Sequence, residues 1–452
     1  MHSMSAQDAM FLDVENDVTP MHIGGVSIFE GPPPRFAELK AMVAGKLHHT
    51  PRYRQKVRFV PLRVSEPVWT DDRYFELDYH LRHTAVPAPG EEAQLRAMAA
   101  RVFSQHLDRA RPLWEIWMVE GLSDGRWALL SKVHHCMVDG VAATDLMSVM
   151  FDDASQTDAS PEWEPAPEPS RLELVLRAAG RRALDPALQI RTALAAPAEL
   201  LRRAAGFARS AAGAAADLRP AASSLTGPIG PHRVWSWGRI TLSDVKRVRT
   251  GLGGTVNDVV LTVITNGFRD LLAGRGEPVS PDRVVRTMVP VSVRRPGEKG
   301  VYNNRVSAVF ARLPVGIDDP VRRLALIREQ MDGLKSSQQA VAGDVLSQLS
   351  GFAPPLLLAL GSRVMTRSLR LSMDTATTNV PGPQVAVHAL GRRLLESYPY
   401  VPIVGSIRIV VAIFSYDGNL FFGVTGDRDH APDMDTLTSG IEAGIAPLLD
   451  AC

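Results

Sequence analysis

The chain reads as an α/β (α+β) protein built from two blocks of similar size. Three features of the sequence predict this. Strand-like and helix-like apolar periodicities alternate through both halves. A stretch rich first in Pro, Glu, Asp and Ser and then in Ala, Leu and Arg divides them. The length of 452 residues also exceeds the roughly 250–300 over which one core grows. The expected division is residues 1–152, a linker over 153–225, and residues 226–452, with ligands between the two lobes.

In the first block, Ser5 with Asp8 three residues on marks a helix start, and Met21 to Phe29 follows as a strand. Arg35 to His49 carries apolar residues at helical spacing up to Pro51. Val68 to Leu81 reads as extended, and Glu91 to Leu107 as a helix. Two strands, Pro112 to Val119 and Arg126 to Val133, form a hairpin around Gly121 and Gly125, with a helix expected over Val141 to Met150.

The linker has a charge of its own. From Arg171 to Arg219 there are nine arginines against four acids, an excess of five in a chain whose Lys+Arg and Asp+Glu counts are 50 and 49. Amphipathic helices broken near Pro186 and Pro197 fit either a bridge between the blocks or a surface resting on anionic lipid.

The second block predicts a short strand over Arg239 to Leu242 and a strongly apolar helix over Val256 to Leu272. Strands follow over Val284 to Val293 and Arg305 to Leu313, then helices over Asp318 to Leu334 and Pro354 to Leu371. Ile407 to Ser415 and Leu420 to Val424 pair around Asp417-Gly418, a hairpin signal, and Met434 to Leu449 closes the chain as a helix.

Composition narrows the function. The near balance of charge disfavours nucleic acid as a partner. Two cysteines, Cys136 and Cys452, make a disulfide framework unlike this chain and fit a reducing cytosol. Met1 to Asp17 has no secretory pattern, and the longest apolar stretch, Tyr398 to Phe414, is interrupted by Arg408. The expectation is a cytoplasmic protein, peripherally attached to the inner face of the membrane or to lipid inclusions.

The chemistry concentrates in Lys132-Val133-His134-His135-Cys136-Met137-Val138-Asp139-Gly140, a strand-to-helix loop. A histidine is the usual general base near neutral pH. It takes the proton of an alcohol only as the oxygen attacks an activated acyl group, and a thioester is such a group. Asp139 lies too near in sequence to be assumed a triad member; it is expected to pin the loop, with Gly140 supplying backbone freedom. A second pair, His48-His49, lacks a following Asp-Gly and is assigned no function. No HExxH or CxxC occurs, so no metal is expected. Cys136 as a nucleophile is disfavoured because neighbouring side chains diverge.

Residues His134 to Gly140 match HHxxxDG and resemble the signature of the CoA-dependent acyltransferase superfamily. Flanking motifs narrow the likeness: Pro20-Met21-His22-Ile23-Gly24-Gly25, Leu107-Asp108-Arg109, Pro112-Leu113-Trp114-Glu115, Val256-Asn257-Asp258, Asn379-Val380-Pro381-Gly382-Pro383 and Ser415-Tyr416-Asp417-Gly418. In this order they resemble the bacterial wax ester synthase/diacylglycerol acyltransferase family, with Thr226 standing where that family often has Asn.

The resemblance implies two chloramphenicol-acetyltransferase-like lobes with an active-site tunnel between them. It implies transfer of a long acyl chain from acyl-CoA, a co-substrate in a reaction without cofactor, to diacylglycerol or a fatty alcohol. His135 is then the general base, His134 its support, and Asp139 a structural residue with Arg54 as the candidate partner. Asn257 either donates to the developing oxyanion or simply serves the helix opened by the capping box Thr255 to Asp258. Pro112, Leu113 and Trp114 are expected as a pocket wall, while Asn304 and Arg305 are expected to maintain the fold.

Three rivals stand beside this reading. His134 and Asp139 also fit the HxxxxD of glycerol-phosphate acyltransferases, whose Phe-Pro-Glu-Gly motif is absent here. The other two are a condensation or small-alcohol acyltransferase of the same fold, and a non-catalytic paralogue that coats lipid surfaces.

Overall fold

A computed structural model describes residues 2–137, 163–178, 180, 223–292, 306–336 and 373–452. Asp139, Gly140, the helix expected over Val141 to Met150, Asn304, Arg305, the helix expected over Pro354 to Leu371 and most of the linker lie outside the described residues.

Two six-stranded sheets organise the molecule, with a small three-stranded sheet of β1 (His2–Ser3), β4 (Val68–Asp71) and β3 (Gln55–Arg58) beside them. The first large sheet runs β12 (His388–Ala389), β13 (Arg392–Tyr400), β2 (His22–Phe29), β7 (Trp127–His134), β6 (Trp114–Glu120), β5 (Leu81–Ala85). The second runs β10 (Val306–Leu313), β9 (Val285–Ser292), β11 (Thr375–Pro381), β14 (Ile409–Tyr416), β15 (Asn419–Asp427), β8 (Arg233–Thr241).

Helices α1 (Ala6–Val14), α2 (Phe36–Lys46), α3 (Leu77–His80) and α4 (Glu92–Phe103) belong to the first lobe. Ser5 caps α1, its side chain accepting from Asp8 N at 3.0 Å. The second-lobe helix Val256–Gly274 opens on the expected capping box: Thr255 Oγ1 accepts from Asp258 N, and Asp258 Oδ2 accepts from Thr255 N at 2.7 Å. Its apolar residues Val259 to Ile264, Phe268, Leu271 and Leu272 enter an aliphatic core with Val285, Val411 and Ile441.

The first lobe's core is aromatic by contrast, and it reaches across the lobes. Trp114 and Trp127 share one cluster with Trp235, Trp237, Tyr398, Tyr400 and Phe421. Arg96 on α4 donates to Asp435 at 2.9 Å and to Ser236 Oγ at 3.2 Å, and Arg233 N donates to Ser104 Oγ at 2.9 Å.

Several elements depart from the sequence reading. β13 falls within the second block of the chain, yet it pairs antiparallel with β2 from Leu394–Phe29 to Tyr400–Gly24. Its charged Arg392, Arg393 and Glu396 and its Pro399 hide the strand period, while pairing is supplied by a partner more than 360 residues away. β8 spans Arg233–Thr241 instead of the short strand ending at Leu242, because Thr241 caps a new helix, Leu242–Leu252. β11 occupies Thr375–Pro381, so Asn379 to Pro381 lie in a strand parallel to β14. The closing helix is two pieces, Met434–Ala443 and Ala446–Asp450. The Asp417-Gly418 hairpin is as expected, with φ of 41° and 77° as its tight turn requires.

Candidate active site

Strand β7 delivers the histidine pair. It lies between β2 and β6, with His22 facing His134 and Val133 facing Trp114 in register. Gly24 lets β2 approach β7 closely; a Cβ there would stand 1.9 Å from Ser131 O. After His134 the chain turns through His135–Met137.

That turn sits on an apolar seat of Met4, Ala9, Leu12, Trp69, Leu107, Leu113 and Cys136. His134 N donates to Leu113 O at 2.9 Å and His135 N to Met21 O at 2.8 Å. The His135 ring stacks on Phe11 of α1, with centroids 3.9 Å apart and planes 18° apart. The ring is half-buried, and its Nδ1 has no hydrogen-bond partner among the described residues. Burial, with the neighbouring His134 adding to it, lowers the His135 pKa to about 4. The ring is therefore neutral at physiological pH.

His134 is buried. Its Nδ1 accepts from Cys136 N at 3.1 Å, which leaves the ring proton on Nε2. That Nε2 lies 3.6 Å from Oε2 of Glu15, a residue the sequence reading passed over. Burial alone would raise the Glu15 pKa; His134, the Met21 N–H and Arg109 outweigh it and hold the carboxyl at about 2. Arg109 Nε donates to Glu15 Oε2 at 2.7 Å, and Met21 N to Oε1 at 3.1 Å.

Burial pushes the Cys136 thiol well above its ordinary range, so it is no thiolate nucleophile. Both cysteines are free. Lys132, buried two residues before the pair, donates to Val102 O at 3.1 Å and to Gln105 O, satisfying carbonyls at the end of α4. Burial lowers its pKa to about 8.

An apolar cavity of about 160 Å³ opens between the two large sheets. Ile23, Trp114 and Val133 line it from the first, Thr378, Ala412 and Phe414 from the second. Among Pro112, Leu113 and Trp114, it is Trp114 that borders the cavity; Leu113 points to the opposite face, under the histidine turn. Trp114 is fixed by Nε1 donating to Tyr53 O at 2.8 Å and by stacking on His80 at 4.5 Å.

Asn257 lies in the first turn of its helix, half-buried and without a side-chain hydrogen bond among the described residues. Asp139 and Gly140 are not described, so the Asp139–Arg54 pairing is not visible. The Arg54 guanidinium lies over Trp163 at 5.0 Å, whereas Arg52 lies over Trp69 at 4.2 Å, against the seat of the turn.

Solved structures share this architecture over nearly the whole chain. The wax ester synthase/diacylglycerol acyltransferase from Marinobacter aquaeolei VT8 superposes with a TM-score of 0.70 at 24% identity, covering 99% of each chain. A trichothecene 15-O-acetyltransferase from Fusarium sporotrichioides gives 0.65 at 11% identity, covering 99% of this chain and 94% of that one. The first condensation domain of the CDA synthetase gives 0.59 at 15% identity, with 99% and 96% covered. The fold is thus the two-lobed one shared by CoA-dependent acyltransferases and condensation domains.

Sequence comparison is more specific. The family model for the wax ester synthase/diacylglycerol acyltransferase catalytic domain matches residues 4–260, and that for the family's C-terminal domain matches residues 302–448. A probable diacylglycerol O-acyltransferase of Mycobacterium tuberculosis is 36% identical over 452 residues, covering 99% of this chain and 96% of the relative. A second from that species is 30% identical over 477 residues, with 100% and 99% covered. The chain belongs to the wax ester synthase/diacylglycerol acyltransferase family and is an acyltransferase.

Proposed function

We propose that this acyltransferase moves a long-chain acyl group from acyl-CoA to the hydroxyl of diacylglycerol, giving triacylglycerol, or of a long-chain alcohol, giving wax ester. The carrying observation is the His135 ring, neutral and clamped on Phe11 at the end of a strand whose preceding residues wall an apolar cavity. The names of the mycobacterial relatives favour diacylglycerol as acceptor.

His135 acts as general base. The acceptor oxygen attacks the thioester carbonyl carbon while its proton passes to the ring; the C–S bond then breaks, and the proton leaves with the CoA sulfur. A ring with a pKa near 4 is fully available as a base, but it is a weak one. Proton transfer therefore accompanies attack and does not precede it. No acyl-enzyme forms, in keeping with the buried, protonated thiol of Cys136. His134 supports the turn, Asp139 and Gly140 shape the loop beyond it, and Asn257 is the candidate oxyanion donor, a contact of about 2.7–4 kcal/mol in other enzymes. The cavity of about 160 Å³ is smaller than the roughly 300–1,000 Å³ that holds a whole ligand, so it takes one end of a chain.

The lipid substrates favour work at a lipid surface. No helix among the described residues is long and apolar enough to cross a membrane. Leu62, Leu172 and Leu176 are 93%, 68% and 61% exposed, and Leu172 and Leu176 lie at the start of the arginine-rich stretch from Arg171 to Arg219. Flotation with anionic vesicles tests this: binding unchanged on deletion of residues 171–219 would remove the linker from the account.

The reaction itself is tested with purified protein, palmitoyl-CoA and either dioleoylglycerol or hexadecanol. Ester product with matching CoA release is expected. Neither ester under varied lipid conditions would favour a protein that coats lipid without turnover.

A further inference from the structure

Glu15 sits just past α1, 120 residues before His135 in sequence, yet the fold brings its carboxylate to the back of the histidine pair. Its side chain is 5% exposed, and both carboxylate oxygens meet polar groups. Oε1 accepts from Met21 N at 3.1 Å and lies 3.6 Å from His106 Nδ1. Oε2 accepts from Arg109 Nε at 2.7 Å and faces His134 Nε2 at 3.6 Å. Arg109 is itself tied to α1 by a bond from its guanidinium to Leu12 O at 2.9 Å.

We propose that Glu15 is a positioning residue: it fixes the tautomer of His134 and thereby the presentation of His135. The proposal rests on the reading of His135 as general base. Two connections run from Glu15 to that ring.

The first passes through the His134 ring. Its Nδ1 accepts the Cys136 N–H at 3.1 Å, closing the turn that carries His135. This requires an unprotonated Nδ1 and so a proton on Nε2. Nε2 has no hydrogen-bond partner among the described residues, and the Glu15 carboxylate is the acceptor it faces. The alternative tautomer would set an Nδ1–H against the Cys136 N–H and open the turn. A carboxylate opposite Nε2 selects against it, as such groups do for histidines that must offer one particular nitrogen.

The second connection is through backbone. Met21 donates its N–H to Glu15, while its carbonyl accepts the N–H of His135 at 2.8 Å. The same carboxylate therefore anchors the strand edge from which the His135 backbone hangs. Arg109 balances the buried charge, so Glu15 stays ionised without a substrate present. These contacts also give work to Met21 and Arg109, two residues in the flanking motifs that had no role in the chemistry.

The test is ring 15N NMR of full-length protein labelled in histidine, with kinetics on the same samples. The His134 signals are identified by their loss in His134→Asn. Wild type should show His134 as the Nε2–H tautomer. Glu15→Ala should lose that signature and lower kcat by about 10–100-fold with KM for palmitoyl-CoA unchanged. Glu15→Gln keeps a carbonyl oxygen toward Nε2–H and should restore most of both. A Glu15→Ala variant with wild-type kcat overturns the proposal, and so does one that loses kcat while His134 keeps its tautomer. If Glu15→Ala does not fold, Glu15→Asp decides: reduced kcat with mixed tautomers supports the role, and wild-type kcat overturns it. His135→Ala is measured alongside. Full rate there would remove the base reading, while the His134 spectrum would still judge Glu15 independently.

Discussion

The chain contains the pattern Lys-aliphatic-His-His twice, as Lys46-Leu47-His48-His49 and as Lys132-Val133-His134-His135. The first copy leaves the end of α2 in a short turn, with the His48 and His49 rings crowded against each other at 3.7 Å and His49 exposed. The second leaves an interior strand. There His134 is buried with its two nitrogens facing different groups, and His135 is stacked on Phe11. The same pattern thus gives a crowded surface turn in one place and an ordered pair of rings in the other. What separates them is the neighbourhood: a strand on each side, an apolar seat, and a buried carboxylate behind. Local residue type supplies the chemistry, while tertiary packing makes it usable.

Acid should break that difference with the largest effect. Burial keeps His22 and His80 neutral, with His22 lowered well below its ordinary pKa and His80 lowered to about 4. Below about pH 6.5 the unfolded chain binds protons that the native state refuses, so acid favours unfolding by about 1.4 kcal/mol per pH unit for each ring. The Glu15 carboxylate, at about 2, does not titrate in that window. From these two rings, urea unfolding should give a stability about 4 kcal/mol lower at about pH 5 than at about pH 7.5, and His135, also lowered to about 4, adds to the loss. Equal stabilities would mean that these rings are protonated in the native state.

Lys132→Met sharpens the contrast at the lysine. It strips the donor from Val102 and Gln105 carbonyls and should cost about 1–3 kcal/mol. His49→Ala, on the exposed copy, should stay within about 0.5 kcal/mol. Equal urea midpoints for the two variants would erase the distinction.

Among the changes within the second copy, Cys136→Ala should have the smallest effect. A small buried group is lost from the seat, so stability should fall by about 1 kcal/mol while kcat is retained. Loss of turnover at unchanged stability would return the thiol to the mechanism.

Much of this organisation is legible in the sequence because it is local. The β6–β7 hairpin into the histidine loop, the capping box at Thr255 and the Asp417-Gly418 turn are each specified within a few residues. β13 and β11 are not. Arg392 to Tyr400 mixes charge with aromatic residues because one strand edge meets β2 and its tyrosines meet aromatic rings of both lobes, so no single period survives. Thr375 to Pro381 is threonine-rich and closes between two parallel neighbours that only the folded chain provides. In the site, His134, His135 and Trp114 were readable as a motif. Glu15 was not: a single acid after a helix carries no signal, and its meaning arises from Met21, Arg109 and His134 arriving from three other places.

We propose that the second histidine pair performs the chemistry, with His135 as base. The most direct test is kcat for palmitoyl transfer by His135→Ala beside His49→Ala, with thermal unfolding of both. His135→Ala should stay folded and lose about 10²–10⁴-fold in kcat, while His49→Ala should match wild type. A folded His135→Ala protein turning over at the wild-type rate would contradict it.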